Sequence, residues 1–279
     1  MLAELTVLPA EDGRALGDVL RRRGYSRRLI TRLKHTENGI TRRGVTVRTV
    51  DPVFAGETVL LFTEPEETLL PVPELKVPIL WEDGDAVVFD KPPAMPVHPS
   101  MKHRLDTLGN CFAAMYPELA FRPVTRLDRD TSGCVLTAKS QHAASRLQRG
   151  FGKEYLAVCC GDAPPSGVIE APIARERDSL IKRCVREGGR AALTRFERIT
   201  GNGKYTLCRV FPETGRTHQI RVHFAHIGLP LAGDDLYGGS REDIGRQALH
   251  CAKLTFISAS GEPVTVCSPL PEDMKKLTE

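Results

Sequence analysis

The chain has 279 residues, 41% of them apolar and 27% charged, with a formal net charge of +4. That length and composition suit a globular protein built as one large unit, or as a small unit beside a medium one. They exclude a disordered or fibrous chain, and no apolar run approaches the roughly 20 residues needed to span a bilayer, so no membrane partner is expected. The eight cysteines form no CxxC pair and have no ligand-like spacing with histidine, which argues against a zinc site or a disulfide framework. With Glu4, Glu11 and Asp12 near its start in place of a basic-then-apolar leader, the protein is expected in the reducing cytoplasm.

In chain order, the first feature is an uneven charge. Between Arg14 and Arg48 eleven Lys and Arg residues face only Asp18 and Glu37, so the rest of the chain is slightly acidic. A basic patch on a near-neutral body is the electrostatic footprint of a nucleic-acid contact. Leu16, Val19 and Leu20 recur at helical spacing and Gly24 marks a stop. Ser26 is placed to cap a second helix with the apolar face Leu29, Ile30 and Leu33. Arg28 and Arg32, four residues apart, share the opposite face of that helix. Short strand-like runs follow over 41–50, joined at Arg43-Gly44, and then over 57–62. Residues 64–78 concentrate proline and glutamate and read as a mobile, semi-extended linker.

From Ile79 onward strands dominate. Residues 86–90, 133–138, 155–160, 192–199, 205–211 and 249–257 are strand-like, and 107–115, 141–149 and 219–227 are the plausible helices. Strands that do not alternate with helices indicate an α+β fold with a mostly antiparallel sheet. No Gly-rich phosphate loop follows a strand, so no nucleotide cofactor is expected.

The segment Arg126-Leu127-Asp128-Arg129-Asp130-Thr131-Ser132-Gly133 carries the chemistry. Asp128 stands between two guanidiniums, which favour its ionised form, and it is followed by a Thr-Ser-Gly turn into an apolar run. Such a carboxylate can serve as a nucleophile. In extended backbone Asp128 and Asp130 would point the same way, and spacing alone leaves a glycosidase-like pair open. Arg126, Arg129, Arg216 and Arg221 suit a phosphate-bearing substrate better than a neutral sugar. His218, His223 and His226 lack an acidic or cysteine partner that would complete a metal site, and none is expected.

Read with Lys153-Glu154-Tyr155 and Thr214-Gly215-Arg216-Thr217-His218-Gln219-Ile220-Arg221, this segment resembles the active site of the RluA-type RNA pseudouridine synthases. Lys91-Pro92, Val97-His98-Pro99, Gly233-Asp234, Tyr237-Gly238, Leu249-His250 and Pro269–Asp273 extend the resemblance over about residues 80–274. The basic helices and strands of about 13–63 resemble the S-four-like RNA-binding module, with Arg43-Gly44 where its turn is usually Asn-Gly. The resemblance implies a domain of this type over 1–63, a linker over 64–78 and a catalytic domain over 79–279.

It further implies an isomerase that detaches a uracil and rejoins it to the same ribose through carbon, without a cofactor. Asp128 is the implied nucleophile, Arg221 its ion-pair partner, and Tyr155 the aromatic that stacks on the target base. Arg126, Arg216, Arg28 and Arg32 are the expected RNA contacts. The family commonly has His where this chain has Thr125; that histidine is not the nucleophile, so activity is expected to survive. Large-subunit ribosomal RNA is the first expected target, by analogy with members carrying the appended module, and transfer RNA the second. A non-catalytic RNA-binding protein on the same fold is the alternative, and a monomer is the default expectation.

Overall fold

The computed structural model of the chain describes residues 2–62, 68–148, 150–179, 181–258 and 260–279. Its N-terminal unit is a four-stranded antiparallel sheet in the order Leu2–Thr6, Thr58–Phe62, Ile40–Arg42, Val45–Thr46. Two helices, Leu16–Arg22 and Arg27–His35, lie with it. The hydroxyl of Ser26 accepts the Leu29 N–H at 3.1 Å, which caps the second helix, and Leu29, Ile30 and Leu33 are all buried. The hairpin 40–46 turns at Arg43 and Gly44, both at positive φ, which is the mirror-image turn that matches the twist of two-residue hairpins. Leu5, Leu16, Val19, Leu20, Val59 and Leu61 meet the helix face in a core that, among the described residues, contains none beyond Leu61.

The strand Leu2–Thr6 is an addition to the sequence expectation, which names no strand before the first helix. It supplies an edge of the sheet through full antiparallel pairing with Thr58–Phe62. Residues 64–67 of the expected linker lie outside the described residues. The remainder, 68–78, has no regular secondary structure and makes contacts with the larger unit. The Val72 N–H donates to the Asn110 carbonyl, the Asn110 side chain donates to the Leu70 carbonyl at 2.8 Å, and Val77 is buried. The proline-rich stretch is therefore laid against the helix Leu108–Met115.

The larger unit is built on one ten-stranded sheet. Along its main path the strands run Ser166–Glu170, Leu193–Gly201, Tyr205–Pro212, Phe151–Cys160, Leu249–Ile257, Ser132–Ala138, Ala86–Lys91, Ile79–Glu82. Pro263–Cys267 and Arg122–Pro123 pair off that path. Neighbours are antiparallel throughout except at one seam, where Ser132–Ala138 runs parallel to Leu249–Ile257 over Ser132↔His250 and Gly133↔Cys251. The period of two splits the central strands between two faces. Val88, Cys134 and Leu136 enter one core, while Val87, Phe89 and Val135 pack with Phe112 in another. Every residue of Ser132–Ala138 is buried, as expected of a central strand covered on both sides.

Gly133 makes the seam possible. Its φ is +107°, and a Cβ there would stand 2.3 Å from the Cys251 carbonyl oxygen, so only glycine lets the two backbones approach. Beside it, Ser132 Oγ bonds His250 Nδ1 at 2.9 Å. The two units of the chain touch at Tyr25 and His142, whose rings lie 4.4 Å apart.

Candidate active site

The seam opens into a cleft of about 970 Å³ whose walls include Arg126, Asp128, Lys153, Tyr155, His218 and Arg221. Asp128 reaches it from the segment that leads into Ser132–Ala138. The turn starts three residues earlier than the sequence suggests: Thr131 N–H donates to the Asp128 carbonyl, while Ser132 and Gly133 already belong to the strand. The turn also separates the two carboxylates, correcting the extended reading. Asp130 is held by Arg129 through two 2.9 Å bonds, and these outweigh burial to keep its carboxyl below the usual range. Arg129 is thus the partner of Asp130 and not of Asp128, and a catalytic pair of 128 with 130 has no support.

The loop is fixed from beneath. Lys91, fully buried, donates to the carbonyls of Pro92, Met95 and Arg129 at 2.8, 2.8 and 2.9 Å. Burial pushes its ammonium down to about 7, against the pull of Asp130 and Asp128. Three carbonyl acceptors match the three donors of a charged ammonium, so this cage opposes the loss of the proton. Gln247 donates to Thr131 Oγ1 from the other side. Thr125 is buried, and its hydroxyl accepts the Leu136 N–H at 2.9 Å, pinning the approach to Asp128 onto the strand that follows it.

The partner of Asp128 comes from the motif 214–221. Gln219 shapes that segment: its amide oxygen accepts from Thr214 Oγ1 and the Arg216 N–H, while its amide nitrogen donates to the Leu193 carbonyl and Thr194 Oγ1. The helix Gln219–His226 then starts from His218, which sits in the left-handed region at φ +58°. Arg221, on the first turn, is 7% exposed. It donates from Nη1 to Asp128 Oδ2 at 3.0 Å, and from Nε and Nη2 to both oxygens of Asp234 at 2.7 and 2.8 Å. Burial disfavours the guanidinium charge, but Asp234 and then Asp128 overcome it and raise its pKa above the ordinary value. One guanidinium so held between two carboxylates fixes orientation as well as charge.

Tyr155, 7% exposed, stands on the strand Phe151–Cys160 beside the seam. Its hydroxyl lies 3.3 Å from Lys153 Nζ, and burial raises the phenol well above its usual range, so it keeps its proton. Arg126 is exposed at the cleft wall, and Arg216 lines the cleft while its Nε donates to the Ala191 carbonyl. Arg28 and Arg32 lie outside the cleft, on the helix Arg27–His35. The structure therefore brings Asp128, Tyr155, Arg221, Arg126 and Arg216 around one cavity and leaves the other two on a separate surface.

In the sequence Asp234 is visible only as part of a fold signature. It is a lone acid with no periodic signal, and its role appears only when Gly233 (φ +72°) brings its backbone beside Arg246, where a Cβ would meet the carbonyl oxygen at 1.9 Å. Of the three histidines of the motif region, His223 is buried and bonded to Thr194 and the Ala171 carbonyl. Among the described residues no group of three or more His, Cys, Asp or Glu is placed to hold a metal, and no helix is long and apolar enough to cross a membrane.

The chain is similar to known proteins over most of its length. The sequence profile of a family described as RNA pseudouridylate synthase matches residues 85–226. The uncharacterized RNA pseudouridine synthase YjbO of Bacillus subtilis (strain 168) is 41% identical, over 91% of this chain and 94% of its own. Ribosomal large subunit pseudouridine synthase D of Xanthomonas campestris is 36% identical, over 84% of this chain and 78% of its own. Among solved structures, human RNA pseudouridylate synthase domain containing 1 superposes with a TM-score of 0.58 at 28% identity, covering 70% of this chain and 83% of that one.

Proposed function

The chain belongs to the RNA pseudouridylate synthase family, and from that premise we propose that it isomerises uridines of large-subunit ribosomal RNA with Asp128 as its nucleophile. The enzyme is an RNA pseudouridine synthase, an isomerase. The ribosomal target follows the names of relatives such as the synthase D of Xanthomonas campestris. The observation that carries the residue assignment is the grip of Arg221 on Asp128 Oδ2, with Asp234 closing the other side of the guanidinium.

In this reading, residues 1–63 are an S-four-like RNA-binding domain, 64–78 a connecting segment and 79–279 the catalytic domain. The separate apolar core of the N-terminal unit supports the division. Arg28 and Arg32 contact phosphates from that domain, and Arg126 and Arg216 do so at the cleft rim, by an interaction that weakens with salt. The target nucleotide leaves its helix or loop and enters the cleft, where Tyr155, in the cleft wall, stacks on the base and restores part of the lost stacking. Asp128 initiates cleavage of the glycosidic bond, and the uracil turns and rejoins through carbon 5. No outside group is transferred and no electron is gained or lost, so the reaction itself calls for no cofactor.

The test is to incubate the purified chain with transcripts of large-subunit ribosomal RNA and, separately, of transfer RNA, and to map pseudouridine by carbodiimide modification and primer extension. New stops confined to the ribosomal transcript are expected. Stops confined to transfer RNA would overturn the target, and none in either would overturn the assignment of these RNAs as substrates.

A further inference from the structure

Beside Arg221, a second side chain faces the Asp128 carboxylate. His218 Nε2 lies 3.8 Å from Oδ2, the same oxygen that Arg221 holds at 3.0 Å. The other ring nitrogen, Nδ1, is 2.8 Å from the hydroxyl of Tyr237, and that hydroxyl accepts the backbone N–H of Arg183 at 2.9 Å. The Tyr237 ring also stands 5.1 Å from the Arg221 guanidinium carbon and edge-on to the His218 ring. We infer that His218 is a positioning residue for Asp128, kept as the Nε2–H tautomer by Tyr237, so that His218 and Arg221 restrain Oδ2 and leave Oδ1 to meet the nucleotide. This rests on the reading of Asp128 as the nucleophile.

Two independent considerations set the tautomer. A backbone amide can only donate, so the Arg183 N–H occupies one acceptor site of the Tyr237 oxygen and leaves its single proton free to be given to Nδ1. A bare Nε2 lone pair facing a carboxylate would repel it, whereas an Nε2–H attracts it. Burial keeps the imidazole below its ordinary range despite Asp128, which favours a ring with one proton rather than two. Tyr237, raised by burial to about 12, retains the hydroxyl proton the arrangement needs. The left-handed backbone of His218 has a purpose in this arrangement: it turns the residue back over the first helical turn, so that His218 and Arg221, three apart, address the same oxygen. At 3.8 Å the contact is electrostatic, and the proposed arrangement has His218 Nε2 come within hydrogen-bonding range of Oδ2 when the nucleotide is bound.

The test combines kinetics with a spectroscopic signature on the full chain. In His218→Gln the amide nitrogen falls near the place of Nε2, whereas in His218→Asn it falls near Nδ1. Single-turnover rates should fall about 10- to 100-fold in His218→Asn, the loss expected for one hydrogen bond to a charged group, with RNA affinity unchanged. His218→Gln should recover most of that rate, although asparagine tolerates a left-handed backbone better than glutamine does. In wild type labelled with 15N-histidine, His218 should show a bare Nδ1 and a protonated Nε2, and Tyr237→Phe should mix the tautomers and slow the reaction. An active wild type with a protonated Nδ1, or with His218→Asn as fast as wild type, would overturn the inference alone. A wild type inactive on every RNA would overturn the functional reading and this inference with it.

Discussion

In the N-terminal unit Arg22, Arg27 and Arg28 stand exposed on two short helices, while in the cleft Arg221 is nearly sealed between Asp128 and Asp234. The same functional group serves opposite ends in the two places. Exposed guanidiniums keep their hydration and their freedom, act over about a Debye length, and are attenuated by salt. A buried guanidinium has surrendered both, and its carboxylates must repay the desolvation through geometry. The first arrangement suits a field that gathers RNA without regard to sequence. The second suits one carboxylate oxygen that must stay where it is while a base is turned beside it. The excess of exposed charge is local: it lies in residues 14–48, within a chain whose formal charge is only +4.

That contrast can be broken at either end. The largest effect is expected of Asp128→Asn, which should lower the single-turnover rate by about 10⁴-fold or more while RNA affinity holds. Next, Asp234→Asn leaves Arg221 half-paired in a buried site. It should cost about 3–5 kcal/mol in urea unfolding and reduce the rate, with little change in the salt dependence of RNA binding. Tyr155→Leu should weaken binding of a flipped uridine by about 1–3 kcal/mol relative to Tyr155→Phe, in a titration with a fluorescent RNA hairpin.

Replacing Arg28 and Arg32 together with alanine should do the reverse of Asp128→Asn. Affinity falls, and the slope of log affinity against log salt drops by about one for each phosphate left without its guanidinium. The rate at saturating RNA stays as it was. The smallest effect belongs to pH. Arg23 bonds Glu11 through both oxygens and, against burial, lowers its carboxyl to about 2 from 4.5. A depressed carboxylate stabilises the fold above its unfolded value and ceases to do so as pH falls through its folded one. Relative to the intrinsic exchange rate at each pH, amide protection in Leu16–Arg22 should therefore fall between about pH 4.5 and 2 by more than this pair's loss lowers it in Ser132–Ala138.

Much of the molecule is legible in its residues. The strand Leu249–Ile257 runs over the full expected range, and the Arg43-Gly44 turn and Ser26 cap form where local chemistry requires them. Several strands that composition does not announce, among them Leu2–Thr6, Ile79–Glu82, Ser166–Glu170 and Pro263–Cys267, are short and lie at or near sheet edges or off the main path, where pairing partners decide. The site divides in the same way. Asp128 and Arg221 are 93 residues apart, and only the resemblance links them in the sequence. Asp234, Lys91 and Tyr237 act through contacts that local spacing does not encode. The two guanidiniums flanking Asp128 in sequence belong elsewhere in the fold, Arg129 to Asp130 and Arg126 to the open cleft wall.

The proposed activity turns on Asp128 acting as the nucleophile of an RNA pseudouridine synthase. The most direct measurement maps pseudouridines by carbodiimide in total RNA from cells lacking the gene, complemented with wild type or with Asp128→Asn. A ribosomal stop that disappears in the deletion and returns only with wild type is the predicted result. A stop that returns equally with Asp128→Asn would contradict that role.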